Sequence, residues 1–153
     1  AFFNTKDYTG TTLWPYSRRI QRITYSLGGD MPDLYLMLAE CKARLDDLSG
    51  AREDLLALRE KRIAGADAAI PAEVDSKDKL IRYIVEERKR EFMMSGMRWF
   101  DIRRLWNDPL FQEDKQNYTH TDGQDIYTLT EDRLVFRIPP KVLSFSTDWE
   151  NNK

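Results

Sequence analysis

The densest group of chemically capable side chains lies between Glu86 and Glu91, where three carboxylates flank three consecutive cations. Two of the carboxylates, Glu87 and Glu91, lie four residues apart and would share one face of a helix. Paired carboxylates can hydrolyse a glycosidic bond by acid–base catalysis. The same pattern is also typical of ion pairing on a helix surface, which is the commoner use of such side chains. We therefore favour a structural role over a catalytic one.

A second charged group follows directly after Gly96. Arg98, Asp101 and Arg104 lie three residues apart, so a helix would bring them to one face. Partly buried arginine–carboxylate pairs have a specific geometry and commonly fix one helix against another. We predict at least one Arg–Glu contact across Gly96. The predicted structural ion-pair cluster comprises Glu87, Arg88, Glu91, Arg98, Asp101 and Arg104.

The sequence gives little support for other catalytic groups or for a metal site. His120 is the sole histidine and lies in a polar segment, so a histidine-dependent catalytic group would have to be built around it alone. Cys41 is the sole cysteine, which excludes an internal disulfide, and it reads as a small buried apolar residue. No glycine-rich loop follows a predicted strand, and no spacing resembles a metal site. We expect no catalytic residues, no metal and no cofactor.

Aromatic residues in predicted loops are the better candidates for ligand contact. Trp14, Tyr16 and Tyr118 lie outside the predicted helices and are flanked by Thr, Ser and Asn. Aromatic faces can stack on sugar rings while neighbouring polar groups bind the hydroxyls, although the same rings can equally cover a core. We predict these three as ligand-binding residues.

Size and charge narrow the possible partners. A chain of 153 residues is long enough for a single domain with a core, and we assign residues 1–153 to one domain. The net charge of −2 gives no reason to expect nucleic acid. The sequence contains no apolar run long enough for a membrane-spanning helix and no signal peptide.

Hydrophobic spacing predicts four helices. The first is capped by Asp30 or Asp33 and carries a stripe of Leu34, Leu38, Cys41, Leu45 and Leu48, and Ser49-Gly50 ends it. The second covers 51–63, the third follows a cap at Asp75 or Ser76, and the fourth covers 97–106. Strands are predicted at 22–27 and 133–138. The predicted core comprises Leu38, Leu45, Leu55, Leu58, Leu80, Ile84, Trp99 and Ile102.

The first two helices resemble a tetratricopeptide unit, because small residues lie where two helices must approach closely. These residues are Ala39, Ala43, Gly50, Ala51 and Ala57. The sequence shows no second copy at a spacing near 34 residues. We therefore expect this helix pair to pack on another element.

Four segments in this order resemble the C-terminal portion of the SusD/RagB family. They read DLYLMLAECKARL, LLALREKRIAG, LIRYIVEERKREFMMSGMRWFDIRRLW and RLVFRIPP, and together they extend from about Asp33 to Pro140. The resemblance implies a mainly α fold of tetratricopeptide-like helix pairs with an irregular C-terminal lobe. It also implies that the chain is a C-terminal fragment, without the lipid-anchoring cysteine and the larger N-terminal region of the family.

The family comprises surface-exposed outer-membrane lipoproteins of Bacteroidetes, so the resemblance implies a function in nutrient uptake. It implies a non-catalytic glycan-binding component that delivers oligosaccharide to a SusC-type TonB-dependent transporter, with the membrane reached only through a lipid anchor absent from this chain. We expect a neutral oligosaccharide, bound in a full-length context. The alternative is a tetratricopeptide-type protein-interaction module, and the third hypothesis is an enzyme that uses Glu87 or Glu91.

Overall fold

The computed structural model describes residues 30–145 and 148–151. Trp14, Tyr16 and the strand predicted at 22–27 lie outside the described residues. Within them the protein is mainly helical, as the sequence predicts. None of the described helices is long and apolar enough to cross a membrane.

Four helices form the first part of the described chain. They are α1 (Met31–Arg44), α2 (Leu48–Arg59), α3 (Lys77–Glu91) and α4 (Met97–Leu105). A short 3-10 helix, Gly65–Ala68, lies in the connection between α2 and α3. The core is built chiefly from α1, α2 and α3, which contribute most of its buried residues.

The turn between α1 and α2 lies earlier than the sequence suggests. Asp46 adopts a positive φ of 68°, and the side chain of Asp47 accepts a hydrogen bond from the Gly50 backbone N–H, which caps α2. Gly50 therefore lies inside the first turn of α2 and does not break the chain. A Cβ at this position would lie 2.3 Å from the Asp47 carboxylate, so a larger residue here would require the Asp47 side chain to shift.

The buried face of α1 is not the leucine stripe that the spacing predicts. Leu36, Ala39 and Ala43 are fully buried, whereas Leu38 is 43% exposed and Leu45 is 81% exposed. The reason is steric, because small side chains allow the neighbouring helices to approach on one side, while the larger leucines of the predicted stripe lie on the other. Leu34, at 44% exposed, and Cys41 are also on the exposed side, so the prediction of a buried cysteine is wrong.

The predicted core residues of α2 and α3 are buried, whereas those of α4 are only partly so. Leu55, Leu80 and Ile84 are fully buried and Leu58 is 5% exposed. Trp99 and Ile102, which the sequence placed in the core, are half-buried. A nine-residue helix that contacts the core along one edge shields these side chains incompletely.

Helices α3 and α4 begin with different caps. The Ser76 side chain accepts a hydrogen bond from the Lys79 backbone N–H and caps α3, as predicted. Gly96 precedes α4 with φ at 84°, in the left-handed region that glycine enters without steric cost. The chain can thus reverse direction sharply between the two helices.

The C-terminal part differs from the sequence prediction. A 3-10 helix, Pro109–Asn117, leads into a two-stranded antiparallel hairpin of β1 (Thr119–Asp122) and β2 (Asp125–Thr128), in a segment predicted as irregular. The strand predicted at 133–138 is absent from the described residues. In its place a 3-10 turn, Glu131–Arg133, is followed by extended chain and the short helix α5 (Pro140–Leu143). Among the described residues β1 and β2 pair with each other, and neither offers a partner to this segment.

Candidate functional site

The junction between α3 and α4 is centred on Asp101, which is only 2% exposed. The Arg88 Nε donates to Asp101 Oδ1 at 3.2 Å, and the Arg104 Nε donates to the same oxygen at 2.8 Å. Arg88 also donates from Nη1 to Asp33 Oδ1 of α1 at 2.6 Å. One buried carboxylate and one buried guanidinium therefore connect α1, α3 and α4.

Glu40 of α1 extends this junction and is 6% exposed. Two guanidinium nitrogens of Arg104 donate to its two carboxylate oxygens, each at 2.7 Å, and Arg44 Nε donates at 2.9 Å. Burial alone would raise the pKa of Glu40. The hydrogen bonds and positive charges of Arg104 and Arg44 outweigh burial and hold this pKa below its ordinary value. We call Asp33, Glu40, Arg88, Asp101 and Arg104 the junction network.

A second buried pair joins α2 to α3. Arg59 and Glu87 are 5% and 6% exposed, and Arg59 Nη1 donates to Glu87 Oε2 at 2.5 Å. Arg59 also donates to the backbone carbonyls of Asp67 and Ala68, which fixes the connection between the two helices. Glu91 forms its own pair with Arg62, with three hydrogen bonds of 3.0–3.1 Å.

The structure groups the predicted ion-pair residues differently from the sequence. Glu87 pairs with Arg59 of α2 and Glu91 pairs with Arg62, in the turn that follows α2. The expected Arg–Glu contact across Gly96 is instead the contact of Arg88 with Asp101. Arg98 belongs to neither group. Within the described part of the chain it forms no salt bridge, and its guanidinium carbon lies 5.8 Å from the centre of the Tyr118 ring.

Sequence reasoning missed Asp33, Glu40 and Arg59 as members of these pairs. A signal for Glu40 existed, because it lies four residues after Leu36 and next to Ala39, on the face of α1 that is buried. A charged residue on a buried face requires an ionic partner. Recognising that face requires reading the small residues of α1, and not its leucines, as the core stripe.

Both carboxylates of the hydrolytic hypothesis form ion pairs with arginine side chains. Glu87 accepts hydrogen bonds from Arg59 and Arg90, and Glu91 accepts them from Arg62. Neither residue lines the groove described next. In residues 30–145 and 148–151, no group of histidine, cysteine and carboxylate side chains could hold a metal ion.

A groove of about 600 Å³ lies between α3, α4, the 3-10 helix 109–117 and the hairpin. This size is within the range of small-molecule sites. Its charged side chains come mainly from the helices, and its hydroxyl and amide groups come from residues 117–119 and from β2. The lining residues are Arg82, Glu86, Lys89, Arg98, Ile102, Asp114, Asn117, Tyr118, Thr119, His120, Tyr127, Thr128, Leu129 and Arg133.

Of the three predicted ligand-binding residues, Tyr118 is the one within the described part, and it lines this groove. Its ring stacks on Trp106, with centroids 6.3 Å apart, and also contacts Arg98. Burial raises the pKa of the Tyr118 hydroxyl, with Arg98 opposing that shift, so the hydroxyl remains a neutral hydrogen-bond donor. Tyr127, which the sequence did not single out, is 50% exposed and is the more open ring.

A sequence model described as the SusD family matches residues 31–151, which is most of the chain and all of the helices described above. The matched range contains both the junction network and the groove. No curated protein and no solved structure gives a significant match to the chain.

Proposed function

The chain belongs to the SusD family, and on this premise we propose that it is a non-catalytic, nutrient-binding component of an outer-membrane uptake system. Its ligand is an oligosaccharide, which it delivers to a SusC-type TonB-dependent transporter. The family match over residues 31–151 carries this proposal. The transporter partner and the surface-exposed location follow from the family alone.

The groove supports this function by its size and its mixed lining. Asn117, Thr119 and Thr128 offer amide and hydroxyl groups to sugar hydroxyls, and Tyr127 offers an open ring to an apolar sugar face. Tyr118 contributes its hydroxyl, because its ring already contacts Trp106 and Arg98. Trp14 and Tyr16 remain proposed ligand contacts from the sequence.

Calorimetric titration of the protein with a panel of oligosaccharides tests this function. We expect binding to at least one oligosaccharide without its hydrolysis, and weaker binding after Tyr118→Ala and after Tyr127→Ala. Phe100→Ala is the matched control, because Phe100 is a 57% exposed aromatic residue of α4 that does not line the groove. Each variant must retain the thermal midpoint of the unchanged protein.

Two outcomes contradict parts of the proposal. A folded protein that binds no oligosaccharide of the panel contradicts glycan binding. Binding that is indifferent to the Tyr118, Tyr127, Trp14 and Tyr16 changes would leave glycan binding standing and contradict the site. A transporter gene of the TonB-dependent type beside the gene for this chain would support the proposed partner.

One observation favours the alternative function, a tetratricopeptide-type interaction module. The α1–α2 pair packs through the small residues Ala39, Ala43 and Ala51, which are all fully buried. This is the packing expected of such units. The glycan titration separates the two functions, because an interaction module has no reason to bind an oligosaccharide in the groove.

A further inference from the structure

The groove carries a local excess of positive charge. Four of its lining side chains are Lys or Arg, and two are carboxylates, in a chain whose net charge is −2. The cations are Arg82, Lys89, Arg98 and Arg133, and the carboxylates are Glu86 and Asp114. A concave surface with one sign of charge concentrates ligands of the opposite sign.

Two of the four cations are already paired. Arg82 Nη1 donates to Asp114 Oδ2 at 3.1 Å, and Lys89 Nζ donates to Glu86 Oε2 at 3.3 Å. These pairs use both carboxylates of the groove. The excess charge therefore belongs to the remaining two cations.

Those two are Arg98 and Arg133, and neither forms a salt bridge within residues 30–145 and 148–151. Arg98 is half-buried and lies over the Tyr118 ring, a contact that restricts its side chain without neutralising its charge. Arg133 ends the 3-10 turn after the hairpin and is exposed. Guanidinium groups left in this condition favour an anion, and carboxylates match them best because both groups are planar and can form two hydrogen bonds.

A second cavity of similar volume differs from the groove in the charge of its lining. This cavity lies where the start of α3 faces Pro109 and Leu110, and its volume is about 630 Å³. Its charged lining balances, with three cations and three carboxylates: Arg44, Lys77 and Arg82 against Asp78, Asp108 and Glu113. The two cavities therefore have similar volumes, but their linings differ in net charge.

We propose that the groove selects an acidic oligosaccharide and that Arg98 and Arg133 contact the carboxylate of a uronic acid unit. Hydroxyl groups of the same unit reach Asn117 and Thr128, and its apolar face contacts Tyr127. This inference rests on the proposed glycan-binding function and replaces the neutral oligosaccharide that the sequence led us to expect.

The experiment compares matched ligands by calorimetry. Oligomers of galacturonic, glucuronic and guluronic acid are each titrated beside their carboxyl-reduced, neutral counterparts. We expect at least one acidic oligomer to bind roughly tenfold or more tightly than its neutral counterpart, since a charge-assisted contact is worth about one decade of affinity. That preference should shrink as salt is added.

The variants assign the preference to the two arginines. Arg98→Gln and Arg133→Gln should each lower the affinity for the acidic oligomer by about tenfold while leaving the neutral counterpart unaffected. Arg103→Gln is the matched control, because Arg103 is an exposed arginine of the same helix that does not line the groove. Because Arg133 is exposed, its variant keeps the test valid if the Arg98 variant folds poorly.

The other results separate this inference from the proposed function. Equal binding of acidic and neutral oligomers, or an acidic preference unchanged in both arginine variants, overturns the inference and leaves glycan binding intact. Binding of neutral glycans with no binding of any uronate has the same consequence. Absence of binding to every glycan by the folded protein removes the proposed function and the inference together.

Discussion

The helical part, α1 to α4, and the C-terminal part, residues 119–145, use the same types of residue in opposite ways. In the helical part five charged residues are buried, and each of them forms a salt bridge. In the C-terminal part both strands are exposed along their whole length, and Leu134 is the one buried residue among those described. Arginine side chains thus form buried ion pairs between helices in one part and are exposed to solvent in the other.

This difference distinguishes the charged residues that join helices from the charged residues that line the groove. Most charged residues of the motifs that carry the family resemblance pair helix to helix, whereas Arg98 and Arg133, which lie in two of those motifs, line the groove. Arg98, at the edge of the helical part, and Arg133, after the hairpin, form no salt bridge with the residues that the structure describes. The same motifs therefore supply both the helix-to-helix pairs and two of the cations of the groove.

The largest expected change in the free energy of unfolding comes from replacing Asp101. Asp101→Ala leaves the buried Arg88 with Asp33 as its single carboxylate partner and removes one of the two carboxylates that bind Arg104. Losing one member of a buried ionic group destabilises by about 3 kcal/mol or more. Urea unfolding measures the free energy.

Asp125→Ala provides the control in the C-terminal part, because Asp125 is an exposed residue of β2. Its free energy of unfolding should change by less than about 0.5 kcal/mol. Equal costs for the two aspartate changes would show that the two parts do not differ in how they use charge.

The second test uses pH. The pKa of Glu40 is lowered in the folded protein, so its ionised form contributes stability above the ordinary value of 4.5 and loses that contribution as pH falls through the folded value. At pH 7, Glu40→Gln should cost about 2 kcal/mol, the usual worth of hydrogen bonds to a charged group. The difference between the two proteins should shrink as the pH falls below 4.5.

Glu131→Gln is the corresponding change in the C-terminal part, where Glu131 is exposed. Its unfolding curve should follow the unchanged protein at every pH to within about 0.5 kcal/mol. A Glu40→Gln penalty that stays constant down to pH 2 would mean that the carboxylate charge is not what stabilises the junction.

The sequence predicted the helical part well, because its signals are local. The Ser76 cap, the break at Gly96 and the leucine and isoleucine stripes of α2 and α3 all act within a few residues. The buried face of α1 was mispredicted because both alanine and leucine can mark a buried face. The distance to the neighbouring helix decides which of the two faces is buried. That distance is a property of two helices together and cannot be read from one.

The candidate site could be predicted only in part. Tyr118 was identified from its polar neighbours and does line the groove, whereas Tyr127 was not singled out and Arg98 was assigned to the ion-pair cluster. Which arginine forms no salt bridge within the described residues depends on the partner that each carboxylate takes. Such partners lie up to 64 residues apart in the sequence, as Glu40 and Arg104 do. Spacing within one helix placed Arg98 with the wrong partners.

The smallest effect should come from an aromatic contact between the two parts. The rings of Trp99 in α4 and Phe136 in the C-terminal part are stacked, with centroids 5.2 Å apart. A double-mutant cycle of Trp99→Ala and Phe136→Ala should give a coupling of about 1 kcal/mol, which is typical of an aromatic pair.

A third variant shows whether this coupling belongs to the rings themselves. The indole N–H of Trp99 is buried and donates no hydrogen bond to the part of the chain that the structure describes. Trp99→Phe keeps an aromatic ring against Phe136 and removes the N–H together with part of the indole, so it should retain much of the coupling with Phe136→Ala. Coupling near zero in both cycles would mean that the C-terminal part is held to the helices elsewhere. Because the groove takes lining residues from both parts, its shape would then not depend on this pair, and changes at Trp99 should leave ligand affinity unaltered.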